Sequence, residues 1–160
     1  MAQEFQFDIV QFRTRTSRVE DYQVVDIYLN GWNLIELLRN FEAPFAANEG
    51  QPSLAGMYEG LPPLMVLPPN RHFWGEPQKF YRYGRRTALL EYGLSGVPGE
   101  WPFAAEIREE PERIVWENFA QLKRLADLPP QGWDYRDFGV FRFQKEQYRQ
   151  ALQQAAARAY

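Results

Sequence analysis

With 160 residues, 45% of them hydrophobic, the chain can bury about two thirds of the surface its unfolded form exposes, so one folded domain over residues 1–160 is expected. A net charge of −3 gives no general attraction to nucleic acid or anionic lipid and leans toward a basic partner. Having no cysteine and one histidine, the chain excludes thiol nucleophiles, disulfides, thiolate metal sites and histidine clusters.

The 12 Phe, 5 Trp and 9 Tyr carry much of the apolar area and read first as packing material. The opening residues lack a basic stretch followed by an apolar one, and no apolar run reaches the roughly 18 residues of a membrane helix; a cytoplasmic protein is expected.

Residues 5–13 begin with strand alternation, Phe5, Phe7 and Ile9 on one face, and change phase at Val10 and Phe12. A second strand shows Val25, Ile27 and Leu29 on one face and Asp26 on the other, ends at Asn30-Gly31, and pairs antiparallel with the first. From Trp32 the period becomes helical, with Leu34, Leu37, Leu38, Phe41 and Phe45 on one stripe, Asn33 and Glu36 spaced as a capping box, and Pro44 as the stop.

Ten of the 12 prolines lie between Pro44 and Pro111, and residues 42–78 read as a long Pro-rich loop, ordered because it is too apolar for a disordered linker. Strands follow at 87–92, 103–108 and 114–119, the last two flanking a turn at Pro111; Phe141 and Phe143 lead into a helix at 145–158 with Tyr148, Leu152 and Ala155 inward.

Candidate chemistry is sparse. His72, in Arg71-His72-Phe73-Trp74, is either a displayed general base or a packed histidine. Glu36, Glu42, Glu49 and Glu59 could supply an acid and base pair, or could cap and solvate. Arg13, Arg15 and Arg18, with Arg82, Arg85 and Arg86 interleaved with Tyr81 and Tyr83, fit either a stacked nucleic-acid strand or a solvated edge, and the acidic total argues against the former. The glycines at 93, 96 and 99 precede a strand, which suits turns and not a phosphate cradle.

Three stretches resemble an uncharacterised family of bacterial proteins: Ile27-Tyr28-Leu29-Asn30-Gly31 continuing through Pro44-Phe45-Ala46, Glu49-Gly50, Leu54-Ala55-Gly56 and Gly60-Leu61-Pro62-Pro63; Trp116-Glu117-Asn118-Phe119 with Gln121 and Arg124; and Trp133-Asp134-Tyr135 with Phe138-Gly139 and Phe141-Arg142-Phe143. Relatives of this kind carry a turn of the form Cys-x-Cys-Gly-x-x-Gly-Cys-Trp-Pro, which the resemblance reads as zinc ligands. Here Gly93, Ser95 and Glu100 stand at the cysteine positions and Lys123 at that of a fourth ligand, so the resemblance implies a degenerate site without metal. Packing of Trp101 and Val97, with a Glu100–Lys123 ion pair, is the expected replacement.

The reading is therefore a single α+β domain, an antiparallel meander-like sheet of five or six strands with one helix after the second strand and a C-terminal helix. Its expected function is non-enzymatic binding of another protein, in an immunity-like or adaptor role, with no cofactor and no metal, through Glu49, Tyr58, Arg71, His72, Phe73 and Trp74. The rival is a small-molecule hydrolase using Glu42, Glu49 and His72 in a pocket under the Pro-rich loop.

Overall fold

Alternation sets the first hairpin, one residue out of the expected phase. The computed structural model describes residues 6–18, 21–125 and 132–159, so Phe5 lies outside the described residues. β1 (Val10–Thr16) turns Val10 and Phe12 inward, opposite Leu29 and Ile27 of the antiparallel β2 (Gln23–Leu29). Phe7 and Ile9 are 41% and 53% exposed, not inward as expected: with Val10 on the inward face of β1 alternation turns Ile9 outward, and ahead of it Asp8 bridges Phe143.

Asn30 and Gly31, both at positive φ, form a two-residue turn that returns the chain as β3 (Trp32–Asn33). Asn33 then caps α1 (Leu34–Asn48), its side-chain oxygen accepting from the Ile35 N–H at 2.8 Å, while Glu36 pairs with Arg39 in place of closing a capping box. The helix buries Leu34, Ile35, Leu38, Glu42 and Ala46, with Leu37, Phe41 and Phe45 at the margin of that stripe. Pro44 sits inside the helix and does not end it: Pro44 and Asn40, whose carbonyl loses its partner, are both exposed, so water can satisfy that carbonyl.

Residues 42–78 are ordered but are no continuous loop. They finish α1 and then form a 3-10 turn (Pro52–Leu54), β4 (Tyr58–Glu59), α2 (Pro63–Val66) and a second 3-10 turn (His72–Trp74). Ala55, Tyr58, Leu61, Val66, Leu67 and Phe73 plug into the core, which is what the apolar content of the segment is for. The segment also clamps β2, since Val25 donates to the Leu61 carbonyl at 2.8 Å; a Cβ on Gly60 would stand 2.2 Å from the Val25 oxygen, so only glycine allows this approach.

β5 (Arg82–Tyr83), β6 (Arg86–Tyr92), β7 (Phe103–Glu109), β8 (Arg113–Gln121) and β9 (Phe141–Gln144) complete the strands, and α3 (Lys145–Ala159) closes the chain. One sheet has the order β1-β2-β3 and the other β4-β6-β7-β8-β9, with β5 also on β6; all pairings are antiparallel. Single bridges, Asp8 to Phe143 and Val25 to Leu61, join the two sheets, and register shifts between Ala88 and Leu90 and between Ala104 and Glu106 bend the larger one. The strands thus curl around one aromatic interior in which Phe12, Phe73, Trp116, Phe143 and Tyr148 meet. Among the described residues no helix is long and apolar enough to cross a membrane.

Candidate functional site

The six residues expected to bind fall into three environments. Tyr58, His72 and Phe73 are buried at 6%, 1% and 1% exposure and cannot touch a partner of the folded chain. His72 and Phe73 reach the interior because the 3-10 turn at His72–Trp74 aims two consecutive rings inward, and Tyr58 because β4 pairs with β6 at the sheet.

His72 is a packed histidine. Its Nε2 lies 2.7 Å from the Ala88 carbonyl, its ring sits edge-on to Phe73 and Tyr81, and burial lowers its pKa to about 4. The neutral imidazole therefore donates from Nε2, and its Nδ1 has no partner among the described residues.

The carboxylates of the rival reading do not converge on it. Glu42 is fully buried and accepts from the Gly56 N–H at 2.9 Å, the Tyr58 hydroxyl at 2.6 Å and the Tyr135 hydroxyl; Gln121 in turn donates to Tyr58. Burial raises its pKa to about 7 against those hydrogen bonds. Glu49, at the C-cap of α1, accepts from Arg124 Nε at 2.9 Å and Trp133 Nε1 at 2.6 Å, and the Arg124 guanidinium lies 4.9 Å from the Trp101 ring centre. None of Glu42, Glu49 and His72 hydrogen-bonds another, and each serves packing.

The glycine turn is fastened by a different carboxylate than expected. Glu91, fully buried on β6, accepts from the Gly99 N–H at 3.1 Å and the Tyr83 hydroxyl at 3.0 Å, and burial raises its pKa to about 7. Glu100 pairs with the Ser95 hydroxyl at 2.6 Å, not with Lys123, and Val97 is 46% exposed, whereas Trp101 is buried edge-on to Trp133. Among the described residues no group of three His, Asp or Glu side chains is placed to hold a metal ion. The basic segments are equally dispersed: Arg15 bridges Asp26 and Glu59, Arg86 binds the Asn118 carbonyl, Arg13 lies over Tyr28, and Tyr81 is buried.

Two surface features flank α3. On one side Trp74, half-buried and edge-on to Tyr148, is held between the guanidiniums of Arg71 and Arg149, 5.4 and 5.9 Å from its ring centre. Arg71 is fixed by Glu76 and Glu109, and Glu109 also binds Lys145 at 3.0 Å. On the other side, a groove of about 300 Å³ runs between β1 and α3, lined by Val10, Gln11, Phe12, Arg13, Gln147, Gln150, Ala151, Gln154 and Arg158. At its head the Gln147 amide spans Val10, Nε2 donating to the Val10 carbonyl at 2.7 Å and Oε1 accepting from the Val10 N–H at 3.3 Å. The arginine and tryptophan of the first side were legible in the sequence, but this groove was not: it depends on which edge of β1 α3 covers, and no local pattern reports that. No family model, curated protein or solved structure matches the chain.

Proposed function

We propose that the chain is a non-enzymatic protein-binding module, of an adaptor or immunity-like kind, which docks a partner on the flanks of α3. The likeness to the bacterial cysteine-turn family and a cytoplasmic setting belong to the same reading. The observation that carries it is the Arg71–Trp74–Arg149 cluster: tryptophan and arginine dominate the energetics of interfaces, and here the Trp74 ring packs on Tyr148 with Arg71 paired to Glu76 and Glu109 at the surface. The titratable groups suited to catalysis support it from the other direction, since His72, Glu42 and Glu91 are engaged in holding the fold.

The test places a photo-crosslinking side chain at Arg71 and identifies what it captures. Trp74→Ala with Arg149→Ala should weaken binding of the captured protein by roughly thirtyfold or more, the loss expected when an anchor contributing about 2 kcal/mol is removed. Trp32→Ala, at a tryptophan 66% exposed elsewhere, should leave it unchanged. Equal binding by all three proteins would refute the assignment.

A further inference from the structure

We infer that the open edge of β1 accepts an extended, acidic segment of the partner protein as an added strand; the inference rests on the protein-binding reading above and names the partner's chemistry on the second flank of α3. The ladder decides which backbone groups are free. Asn30 donates to the Ile9 carbonyl and Ser17 donates to the Tyr22 carbonyl, so the odd-numbered residues of β1 form the hydrogen-bonded pairs with β2. Val10, Phe12, Thr14 and Thr16 therefore point their N–H and C=O groups away from β2.

Two of those four residues already have partners: Val10 is spanned by the Gln147 amide, and the Thr16 carbonyl accepts from Arg15 Nη1 at 3.2 Å. The N–H and C=O groups of Phe12 and Thr14 have none among the described residues. The side-chain amide of Gln147 offers a donor and an acceptor together, as a peptide unit does, and it occupies the position where an added strand would begin. Beyond it the groove stays open between strand edge and helix, the arrangement in which a peptide joins a sheet and lays alternate side chains against the helix. From Val10 to Thr14 the edge is about 13 Å long, at roughly 3.3 Å per residue, which matches about five residues of added strand.

The lining sets the charge. Among the described residues the groove is lined by Arg158 and by Arg13, whose guanidinium lies over Tyr28, with four glutamines and no carboxylate, on a chain whose net charge is −3. Local charge and global charge thus point in opposite directions, and for a contact at this range the local charges decide. An unguarded edge is a hazard that proteins cover or charge; this one is covered at its head and charged along its walls, which leaves it selective for acidic segments.

The test uses a pooled library of capped nonapeptides with Glu at alternate positions and the rest randomised, set against the same library with Lys. The Glu library should be retained on the immobilised protein and the Lys library should not. Retained peptides should slow amide exchange at Phe12 and Thr14 by about tenfold or more, the effect of a 1.4 kcal/mol contact, while Gln11 and Arg13, already bonded to β2, stay as they were. Arg13→Glu with Arg158→Glu should weaken retention by at least about tenfold, and Arg158→Glu alone, at an exposed helix end, reads the same effect should the double variant unfold. Equal retention of the Lys library, no retention of either, or retention without slowed exchange at Phe12 and Thr14 overturns the inference. Protein capture that depends on Trp74 would survive any of these outcomes, whereas loss of that capture with peptide retention intact would overturn only the docking role of Arg71, Trp74 and Arg149.

Discussion

Phe73→Ala separates an interface anchor from a core ring. The side chain is 1% exposed, its ring centre lies 4.7 Å from Phe12 and 4.8 Å from His72, and it stacks on Trp116 at 6.4 Å. Trp116 and Tyr148, which border the resulting cavity, are themselves fully buried and tied to each other by a 3.0 Å hydrogen bond, so they cannot relax into it. The cost should lie in the range for emptying a buried aromatic site, about 3–5 kcal/mol. For a chain of this size that corresponds to a fall in Tm of about 6–20 °C. Urea denaturation followed by tryptophan fluorescence reads it as a lower midpoint at unchanged slope. Trp74→Ala, which removes a half-buried ring, should cost no more than about 2 kcal/mol in the same assay. A Phe73→Ala midpoint equal to the parent's would refute the packing argument and return the ring to the surface.

Stability should fall as pH rises from about 4.5 to about 7, but by roughly one buried carboxyl's worth and not two, because His72, held by burial at about 4 against 6.5 in the unfolded chain, gives an opposing gain between pH 4 and 6.5. Glu42 and Glu91 are both raised from 4.5 to about 7 by burial, so the folded chain holds protons that the unfolded chain has released; the stabilisation is fully present below 4.5 and is lost on passing 7, up to about 3 kcal/mol for each group. Glu59 acts in the opposite direction: burial raises its pKa but Arg15 and backbone N–H groups lower it further, so its contribution is present above 4.5 and lost in acid. Urea midpoints at pH 4.5, 6 and 8 check this, Glu91→Gln should flatten the profile, and a parent stability that rises toward pH 8 would sink the reasoning. Trp101→Ala should cost about 3–5 kcal/mol, as for other buried aromatic sites, whereas Trp101→Phe should cost far less because it keeps an aromatic ring in the site, both variants alike removing an indole N–H with no acceptor among the described residues; similar midpoints for the two variants would count against that.

Periodic segments were legible and their boundaries less so. The stripe of α3 at Tyr148, Leu152 and Ala155 follows from helical spacing, whereas the strands at 87–92, 103–108 and 114–119 follow from strand-forming residues between turn signals, since consecutive residues of each are buried and alternation does not mark them. Pro44 misled because the rule against proline inside a helix assumes a buried or unsolvated carbonyl, and Asn40 is neither. Phe73 and Tyr58 misled for another reason. An aromatic in an aperiodic, proline-rich segment gives no sign of which way it points, so binding and packing predict the same composition there. The burial of Glu42 is not legible locally, since its three donors come from Gly56, Tyr58 and Tyr135, the last 93 positions away in sequence. Arg71 and Trp74 remained usable because their partners Glu76 and Arg149 keep them at the surface and not beneath it.

Buried carboxylates do in this chain what a closed metal site does in others: they collect donors from distant segments at one point. Glu91 takes a hydroxyl from β5 and an N–H from the glycine turn, Glu42 takes two hydroxyls and an N–H from two segments, and Glu59 takes Arg15, Ser17 and the Arg18 N–H. The chemical difference is that a carboxylate fastens with hydrogen bonds whose strength depends on its charge, whereas a tetrahedral thiolate site holds its ligands by coordination. Two of the three anchors change charge near pH 7, where the desolvation of a charged carboxylate works against the hydrogen bonds it gains. Glu91 and Glu59 are also register partners across β4 and β6, and Arg15 pairs with Glu59. Replacing Arg15 should therefore raise the carboxyl pKa of Glu59 and loosen β1 from β4, read as faster amide exchange along β1, which ties the stability of the proposed peptide edge to the Arg15–Glu59 pair; exchange along β1 unchanged in Arg15→Ala would refute this.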